Sequence, residues 1–327
     1  MTSVIPVILS IDTEEDQWHA TRDRGTAENL RGLDRLAPLW ARTGARPTYF
    51  VSYVAATAGA LADGLREAHR TGQGEVAAHL HPWNTPPLDE PLCDRFTMMA
   101  NLPGPLQLAK LRTLTDVVSA LRDGVPPTSF RAGRFGLGPG SVGLLANLGY
   151  SVDSSVTPHV SWAEYGGGPN FERAPLRCYR IAPETDPTVA TPDGALVEVP
   201  LTVGFSRRPF ARSAQIFRAT GHAAVRPFGV RGAMVRSGLL RRIIGSPETD
   251  TAPDLLTLAK LALEEGAGYV HLFWHSPSLV AGLTPHTPRE ADVQRLIDRI
   301  AAFLDGVAAL GTPEFVTVTE LARRMGR

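Results

Sequence analysis

The fold class is first indicated by residues 4–16, which read VIPVILSIDTEED. The stretch from Val4 to Ile11 is short, almost wholly apolar and rich in β-branched residues, which predicts a buried strand. Four acidic residues crowd into the five positions that follow. In α/β folds the catalytic and binding groups lie where strands end and loops begin, so this stretch also indicates where chemistry should be sought.

The rest of the chain alternates between strand-like and helix-like patterns. This alternation implies βα units and a parallel sheet or barrel, and we expect a single domain over residues 1–327. Two irregular stretches, 82–105 and 158–192, are too long for simple connections and favour functional loops over one face. The expected strands after the first are 48–54, 75–80, 129–132, 150–153, 197–199, 269–274 and 315–318, and the expected helices are 30–39, 58–70, 106–121, 141–148, 255–265 and 291–310.

The composition excludes several classes of protein. Lys+Arg and Asp+Glu both number 33, so the net charge is zero, which argues against a nucleic-acid binder and against an acidic tail. Cys93 and Cys178 are far apart, which argues against a disulfide scaffold or a cysteine-based zinc site and favours reduced thiols in the cytoplasm. The sequence shows neither a secretory signal pattern nor an apolar run of about 18 residues, so we expect a cytoplasmic protein that does not span a membrane.

Two pairs of polar residues at predicted strand ends indicate a metal site. Side chains alternate along a strand, so Asp12 and Glu14 share a face, where they repel each other unless a cation lies between them or one is protonated. His79 and His81 likewise lie side by side, and two imidazoles on one strand face are a familiar metal-binding arrangement. The alternatives are an acidic loop after a strand and an incidental histidine pair.

Two further strand ends carry groups suited to acid–base chemistry. Arg131 ends the predicted strand 129–132, where a guanidinium can orient a carboxylate through bidentate hydrogen bonds, although a surface arginine is the alternative. His275 ends the strand 269–274 and is a candidate proton donor. A hydrogen-bonded core histidine is the competing interpretation, and it suits His271 better than His275. Substrate contacts are expected from Arg134 and from the flat faces of Trp83 and Trp274, with core packing as the alternative for both tryptophans.

The order of these motifs resembles that of the polysaccharide deacetylases, the NodB-homology carbohydrate esterase group. Asp-x-Glu, His-x-His, Arg-x-Gly-Arg-Phe-Gly and a late strand-end histidine follow one another between the first strand and about Pro288. The similarity is strongest to a branch with His-Leu-His-Pro-Trp and His-Ser-Pro-Ser-Leu, which here are residues 79–83 and 275–279. The resemblance implies a distorted (β/α) barrel of about seven strands, a bound divalent metal and hydrolysis of an acetamide on an amino sugar.

The resemblance also implies a metal-binding set. Glu14 matches the metal-binding acid, although many members have an aspartate one position after the base. His79 and His81 match the metal histidines, although many members place the second histidine four residues after the first. Two nitrogen ligands and one oxygen ligand favour zinc, with cobalt and nickel as alternatives.

The catalytic roles implied by the resemblance fall on four residues. Asp12 matches the general base, and Arg131 matches the arginine that holds it. His275 matches the general acid that protonates the departing amine. Asp153 falls where the family has an acid near the catalytic histidine.

A charge asymmetry lies outside the resemblance. No acidic residue occurs between Glu198 and Glu248, which predicts an Arg-rich insertion around residues 203–247. Arginines suit phosphate and other anions, so this segment could hold a phosphate-bearing substrate or dock peripherally on an anionic membrane surface. The alternative is a solvated excursion whose arginines pair with acids elsewhere. The nine arginines of the segment are Arg207, Arg208, Arg212, Arg218, Arg226, Arg231, Arg236, Arg241 and Arg242.

These observations predict a metal-dependent deacetylase acting on an N-acetylated saccharide. Two alternatives stay open: a related metal-dependent hydrolase of another small C–N bond, such as a ureide or formamide, and a carbohydrate-binding relative without catalysis. Asp12, Arg131 and His275 together argue against the second, because binding alone needs neither a base nor an acid. Nucleotide-binding loops and a nucleophile elbow are absent from the sequence.

Overall fold

The computed structural model describes residues 3–18, 25–221 and 229–325, and its central feature is a curled, mainly parallel sheet that forms a half-barrel. Within these residues the sheet has nine strands, of which eight run parallel, and seven of the eight follow one another in the order β10-β1-β2-β3-β4-β5-β7. A short antiparallel strand, β6, extends the edge beyond β7, and β11 pairs with the first half of β1. The strands are β1 (Val4–Thr13), β2 (Thr48–Val51), β3 (Glu75–Leu80), β4 (Ser129–Ala132), β5 (Val152–Asp153), β6 (Tyr179–Ile181), β7 (Leu196–Glu198), β8 (Gly204–Phe205), β9 (Arg242–Ile243), β10 (Val270–His275) and β11 (Thr312–Phe315).

Helices connect the strands and cover the sheet, so the expected distorted (β/α) barrel is confirmed. The middle of β1 is buried on both faces, as a central parallel strand between two apolar layers must be. The α-helices are α1 (Ala37–Thr43), α2 (Tyr53–Ala56), α3 (Asp63–Thr71), α4 (Gly104–Leu121), α5 (Pro139–Asn147), α6 (Phe210–Ala219), α7 (Val230–Arg236), α8 (Ala252–Glu264), α9 (Glu290–Val307) and α10 (Val318–Arg324). Short 3₁₀ helices lie at Glu28–Leu36, Gly59–Ala62, Asp94–Thr97, Met99–Asn101, Gly133–Phe135 and Ser276–Leu279.

The barrel is distorted because irregular chain fills the gap between β7 and β10. The backbone N–H of Thr202 donates to the carbonyl of His271 at 3.1 Å, and the Thr202 hydroxyl accepts from the N–H of His271 at 2.8 Å. Further along, the N–H of Phe273 donates to the carbonyl of Gly245 at 3.2 Å. These contacts satisfy the open edge of β10 and bring the segment around Gly245 to the carboxyl end of the sheet.

Several predicted boundaries were wrong for local reasons. The strand expected over 48–54 ends at Val51, because the Ser52 hydroxyl accepts a hydrogen bond from the N–H of Ala55 and starts α2. The strand expected over 315–318 ends at Phe315, because Thr317 and Glu320 form a capping box that starts α10. The stretch 158–192, expected to be a loop, contains β6. The single-domain interpretation stays a prediction.

Strand register places the predicted polar residues at one end of the sheet. Asp12 on β1 lies opposite His275 on β10, and His79 on β3 lies opposite Arg131 on β4. All four are at or near the carboxyl ends of their strands, which is where α/β folds place their active sites.

Candidate active site

Three side chains of the site converge like ligands of a metal ion. The Nε2 atoms of His79 and His81 are 3.0 Å apart, and Oε2 of Glu14 lies 3.5 Å from the first and 3.2 Å from the second. Ligands about 2.0–2.1 Å from a tetrahedral zinc ion would be about 3.3 Å from one another, so the separations suit such an ion. These are also the residues that offer three ligand atoms within 4.8 Å of one another.

The hydrogen bonds of the two histidines leave their Nε2 atoms facing each other. Nδ1 of His79 donates to the backbone carbonyl of Arg131 at 3.0 Å, and Nδ1 of His81 donates to the carboxylate of Glu15 at 2.8 Å. With both Nδ1 atoms engaged in this way, the two Nε2 atoms face each other, an arrangement that a divalent cation between them would stabilise. Oε1 of Glu14 is buried without a hydrogen-bond partner in the described part of the chain. The three ligand side chains and the unpaired Oε1 of Glu14 thus fit a divalent cation.

Glu15 supports the second histidine, a role that the sequence analysis did not assign. Its carboxylate also accepts the indole N–H of Trp83 at 2.9 Å, and the Trp83 ring stacks on His81 with centroids 4.1 Å apart. Burial raises the pKa of Glu15, but His81 and these hydrogen bonds lower it to about 2. Burial lowers the pKa of His81, while Glu15 and Glu14 raise it to about 9. Trp83, expected to bind substrate, is buried and holds His81 in place instead.

Two neighbouring features fix the loop that carries His81. A Cβ atom on Gly133 would lie 2.5 Å from Cδ2 of His81, so only glycine leaves room for the imidazole there. On the other side, the fully buried ammonium of Lys110 on α4 donates to the carbonyls of Pro82, Thr85 and Pro87. It also pairs with Glu90 at 2.9 Å. The loop after β3 is therefore held by an internal cation.

Asp12 is kept ionised by a buried arginine. The Arg131 guanidinium donates to Oδ1 of Asp12, to the carbonyl of Ser154 at 2.9 Å and to the hydroxyl of Ser10 at 3.0 Å. Burial raises the pKa of Asp12, but the charges of Arg131, His79 and His275 outweigh it, and the net pKa is lowered. Arg131 is fully buried, so the surface alternative for this residue does not hold.

His275 faces Asp12 and is paired on its far side with a carboxylate. Nε2 of His275 lies 4.0 Å from Oδ2 of Asp12, while Nδ1 donates to Oε2 of Glu248 at 2.8 Å. Burial lowers the pKa of His275, but Glu248, Glu14 and Asp12 raise it to about 10. Glu248 is itself held by the hydroxyl of Ser278, and His275 and other neighbours lower its pKa against the effect of burial. The imidazole is therefore a cation at neutral pH, and its Nε2 lies on the side of Asp12.

The acid that contacts His275 is thus Glu248, whereas the sequence analysis placed Asp153 near this histidine. The Asp153 carboxylate accepts hydrogen bonds from the N–H and hydroxyl of Ser155, both at 2.8 Å. It also lies against Glu198 in the core, and burial raises the pKa of both carboxyls. His271 is hydrogen-bonded to Ser10 in the interior, as expected for a core histidine.

The remaining predicted substrate residues divide between the core and the site. Trp274 is fully buried and packs beside Trp40, with ring centroids 6.4 Å apart, so its predicted contact with substrate is replaced by core packing. Arg134 has a left-handed backbone (φ 51°), and its guanidinium lies 5.7 Å from the ring of Trp83 and 5.8 Å from that of Trp18. Trp18 is half-buried and also lies 5.8 Å from the His275 ring. Trp18 therefore borders His275, and Arg134 borders Trp18.

No family model matches the sequence, and no curated protein matches it. Among solved structures, a protein from Mycobacterium smegmatis described as a polysaccharide deacetylase aligns over 99% of this chain and 90% of its own, with 16% identity and a TM-score of 0.53. A Parabacteroides distasonis protein described as a glycoside hydrolase/deacetylase aligns over 98% and 70%, with 15% identity and a TM-score of 0.59.

The same fold also occurs in a protein with another activity. A 4-alpha-glucanotransferase from Thermococcus litoralis aligns over 98% of this chain and 40% of its own, with 12% identity and a TM-score of 0.52. Similarity at this level establishes a shared fold, and that fold supports more than one reaction. The reaction must therefore be argued from the site.

Proposed function

We propose that this chain, which has the fold of polysaccharide deacetylases, is a metal-dependent hydrolase that removes the acetyl group from an N-acetylated amino sugar of a saccharide. The single observation that carries the proposal is the juxtaposition of base and acid beside the ligand set. Oδ2 of Asp12 and Nε2 of His275 lie 4.0 Å apart, and the ligand atoms of Glu14, His79 and His81 converge next to them. A binding protein without catalysis has no need of a carboxylate and an imidazolium held opposite each other.

Amide hydrolysis needs a deprotonated water, and Asp12 is placed to accept its proton. The Arg131 guanidinium fixes one carboxylate oxygen and leaves Oδ2 on the side of His275. The lowered pKa of Asp12 keeps it in its basic form at neutral pH. Held by Glu14, His79 and His81, a divalent cation would supply Lewis acidity toward water and the substrate carbonyl.

The departing amine needs a proton, and His275 is placed to deliver it. Glu248 fixes the tautomer and orientation of the imidazole through Nδ1, so the transferable proton is the one on Nε2. Because the pKa of His275 is raised to about 10, this proton is present before the reaction begins. At neutral pH Asp12 is thus deprotonated while His275 is protonated, as a pair of base and acid requires.

For the metal we propose zinc, with cobalt and nickel as alternatives. Two imidazole nitrogens and one carboxylate oxygen are a common set for catalytic zinc, which keeps a further position open. The proposed substrate contacts are Trp18, which borders His275, and Arg134, which borders Trp18. A phosphate on the substrate and a cytoplasmic location stay predictions from the sequence.

The test is acetate release from a panel of N-acetylated glycans, with chelator, after removal of chelator, and with added zinc, cobalt or nickel. We expect chelator-sensitive acetate release that one of these metals restores, and its loss in Asp12→Asn with the metal still bound. Hydrolysis of a formamide or ureide included in the panel, without acetate release from any glycan, would replace the proposal by the alternative C–N hydrolase. Failure of the metal-loaded protein to hydrolyse any member of the panel would contradict the proposed function.

A further inference from the structure

The Arg-rich insertion is built as a small two-helix cap that the proposed reaction does not use. The antiparallel pair β8–β9 forms its base, and Phe205, Phe210 and Met234 pack inside it against α8. Arg231 ties α7 to α6: its guanidinium lies 4.6 Å from the centre of the Phe217 ring and donates to the Phe217 carbonyl at 3.0 Å. The two helices are therefore joined to each other through Arg231.

Acids elsewhere in the chain pair with only part of this positive charge. Within the described residues, Arg208 pairs with Glu264 and Glu265 on and after α8, and Arg241 pairs with Asp254. In the part of the chain that the structure describes, the expected pairing with distant acids is met by these two arginines.

Two more arginines of the insertion pack against an aromatic ring. Arg231 and Arg242 both lie against the ring of Phe217. Arg226 lies outside the described residues.

Four arginines remain exposed, and they define what we call the basic face: Arg207, Arg212, Arg218 and Arg236. The structure shows no ion pair for any of them in residues 3–18, 25–221 and 229–325. A solvated helix face in a soluble protein normally mixes both signs of charge, whereas this one carries a single sign. The basic face is therefore suited to an extended anionic partner.

Large aliphatic side chains lie among these arginines. Ile216, Val230 and Leu239 are 43%, 41% and 55% exposed. Ile216 follows Arg212 by one helical turn, so the two side chains are neighbours on the outer side of α6, while Phe210 and Ala214 face inward. Arginines combined with exposed aliphatic residues are typical of helices that lie in a membrane interface.

The insertion is attached to the catalytic end of the sheet. It begins just after β7, and β9 leads directly through Gly245 to Glu248, the partner of His275. Arg242 on β9 also donates to the carbonyl of His159 at 3.0 Å. The insertion is therefore joined to the chain that carries the partner of His275.

We propose that the basic face docks peripherally on an anionic lipid bilayer, with headgroup phosphates against Arg212, Arg218 and Arg236, and with Ile216 and Leu239 entering the interface. The positive charge of the basic face favours an anionic partner. The exposed aliphatic residues favour a lipid bilayer over a soluble polyanion. No helix among the described residues is long and apolar enough to span a membrane. The proposal concerns binding only and does not depend on the reaction proposed above.

The test is flotation of the full chain with phosphatidylcholine vesicles that contain or lack phosphatidylglycerol. We expect binding only to the anionic vesicles, weakening as salt rises. Each arginine near such a surface strengthens partitioning by about fivefold, so Arg212→Gln/Arg218→Gln/Arg236→Gln should lose about 100-fold. The matched control, Arg31→Gln/Arg112→Gln/Arg323→Gln, removes the same charge from exposed sites elsewhere and should bind like the unchanged chain.

A second variant separates lipid docking from simple charge attraction. Ile216→Ser/Leu239→Ser keeps every charge and should weaken vesicle binding in high salt, where the apolar contribution dominates. Circular dichroism and metal content check that each variant is folded. Equal loss in both triple variants, or no binding to anionic vesicles, would overturn the proposal. Binding to heparin or duplex DNA without binding to vesicles would overturn it as well.

Discussion

Replacing Glu248 by glutamine should lower the pKa of His275 by about three units. The carboxylate accepts from Nδ1 of His275 at 2.8 Å and is the largest influence that raises its pKa. Two charges about 4 Å apart interact by about 4 kcal/mol at an effective dielectric of 20, which corresponds to about three pKa units. We expect the pKa to fall from about 10 to about 7 in Glu248→Gln.

The direction of this pKa shift determines which side of the pH–rate profile should change. The acid form of His275 is the cation, which is lost as pH rises through its pKa. At pH 9 the protonated fraction should fall from about 90% to about 1%, while at pH 6 both proteins stay about 90% protonated or more. The alkaline limb of kcat/KM for acetate release by the metal-loaded enzyme should therefore move down by about three units, with little change on the acidic side.

The same linkage predicts a change in stability. The folded-state pKa of His275 is raised above its unfolded value, so the stability that it contributes is complete below about pH 6.5 and is lost as pH rises through about 10. The melting temperature of the unchanged protein should fall across this range, and that of Glu248→Gln should fall less.

The control is Glu264→Gln, which removes the same charge from an exposed ion pair with Arg208. Its pH profile should coincide with that of the unchanged protein. An NMR titration of the His275 ring gives the pKa without any substrate. The reasoning is refuted if Glu248→Gln keeps its metal and its alkaline limb, or if the His275 pKa measured by NMR does not move.

Three further predictions concern the metal centre. His79→Ala should lose the single metal ion per chain in elemental analysis, and full occupancy would contradict the ligand assignment. Glu15→Gln should bind metal 10- to 100-fold more weakly, roughly the usual cost of losing an outer partner of a ligating histidine, as measured by competition with a chelator; unchanged affinity would exclude a supporting role. Gly133→Ala should also weaken metal binding, because its Cβ would lie 2.5 Å from Cδ2 of His81, whereas Gly140→Ala meets its nearest atom at 3.8 Å and should bind normally.

Strand-end reasoning predicted the inner part of the site because parallel strands present their carboxyl ends at one edge. Each of Asp12, His79, Arg131 and His275 was assigned to a strand end, and the structure pairs Asp12 with His275, and His79 with Arg131, across neighbouring strands. It missed Glu15, because alternation was extended past the end of β1 at Thr13, where the strand rule no longer applies.

Glu248 was missed for a different reason. It follows β9 in irregular chain, 27 residues before His275, and no periodic pattern indicates where such a residue will lie. Trp274, in contrast, could have been assigned to the core: the alternation that puts His271 and His275 on the inner face puts Trp274 on the outer one. Single-sequence patterns therefore locate strand ends well and loop contacts poorly.

The contacts of Lys110 with the loop after β3 determine which basic residue can occupy position 110. Arginine is used almost everywhere, and Lys110 and Lys260 are the only lysines. Lys110 has three protons on one small atom, which lies among three carbonyl oxygens and the Glu90 carboxylate. A planar guanidinium spreads its donors in a fixed fork and cannot bring them to four acceptors around a single small atom. The shape of the acceptor cage, rather than positive charge as such, therefore selects lysine at position 110.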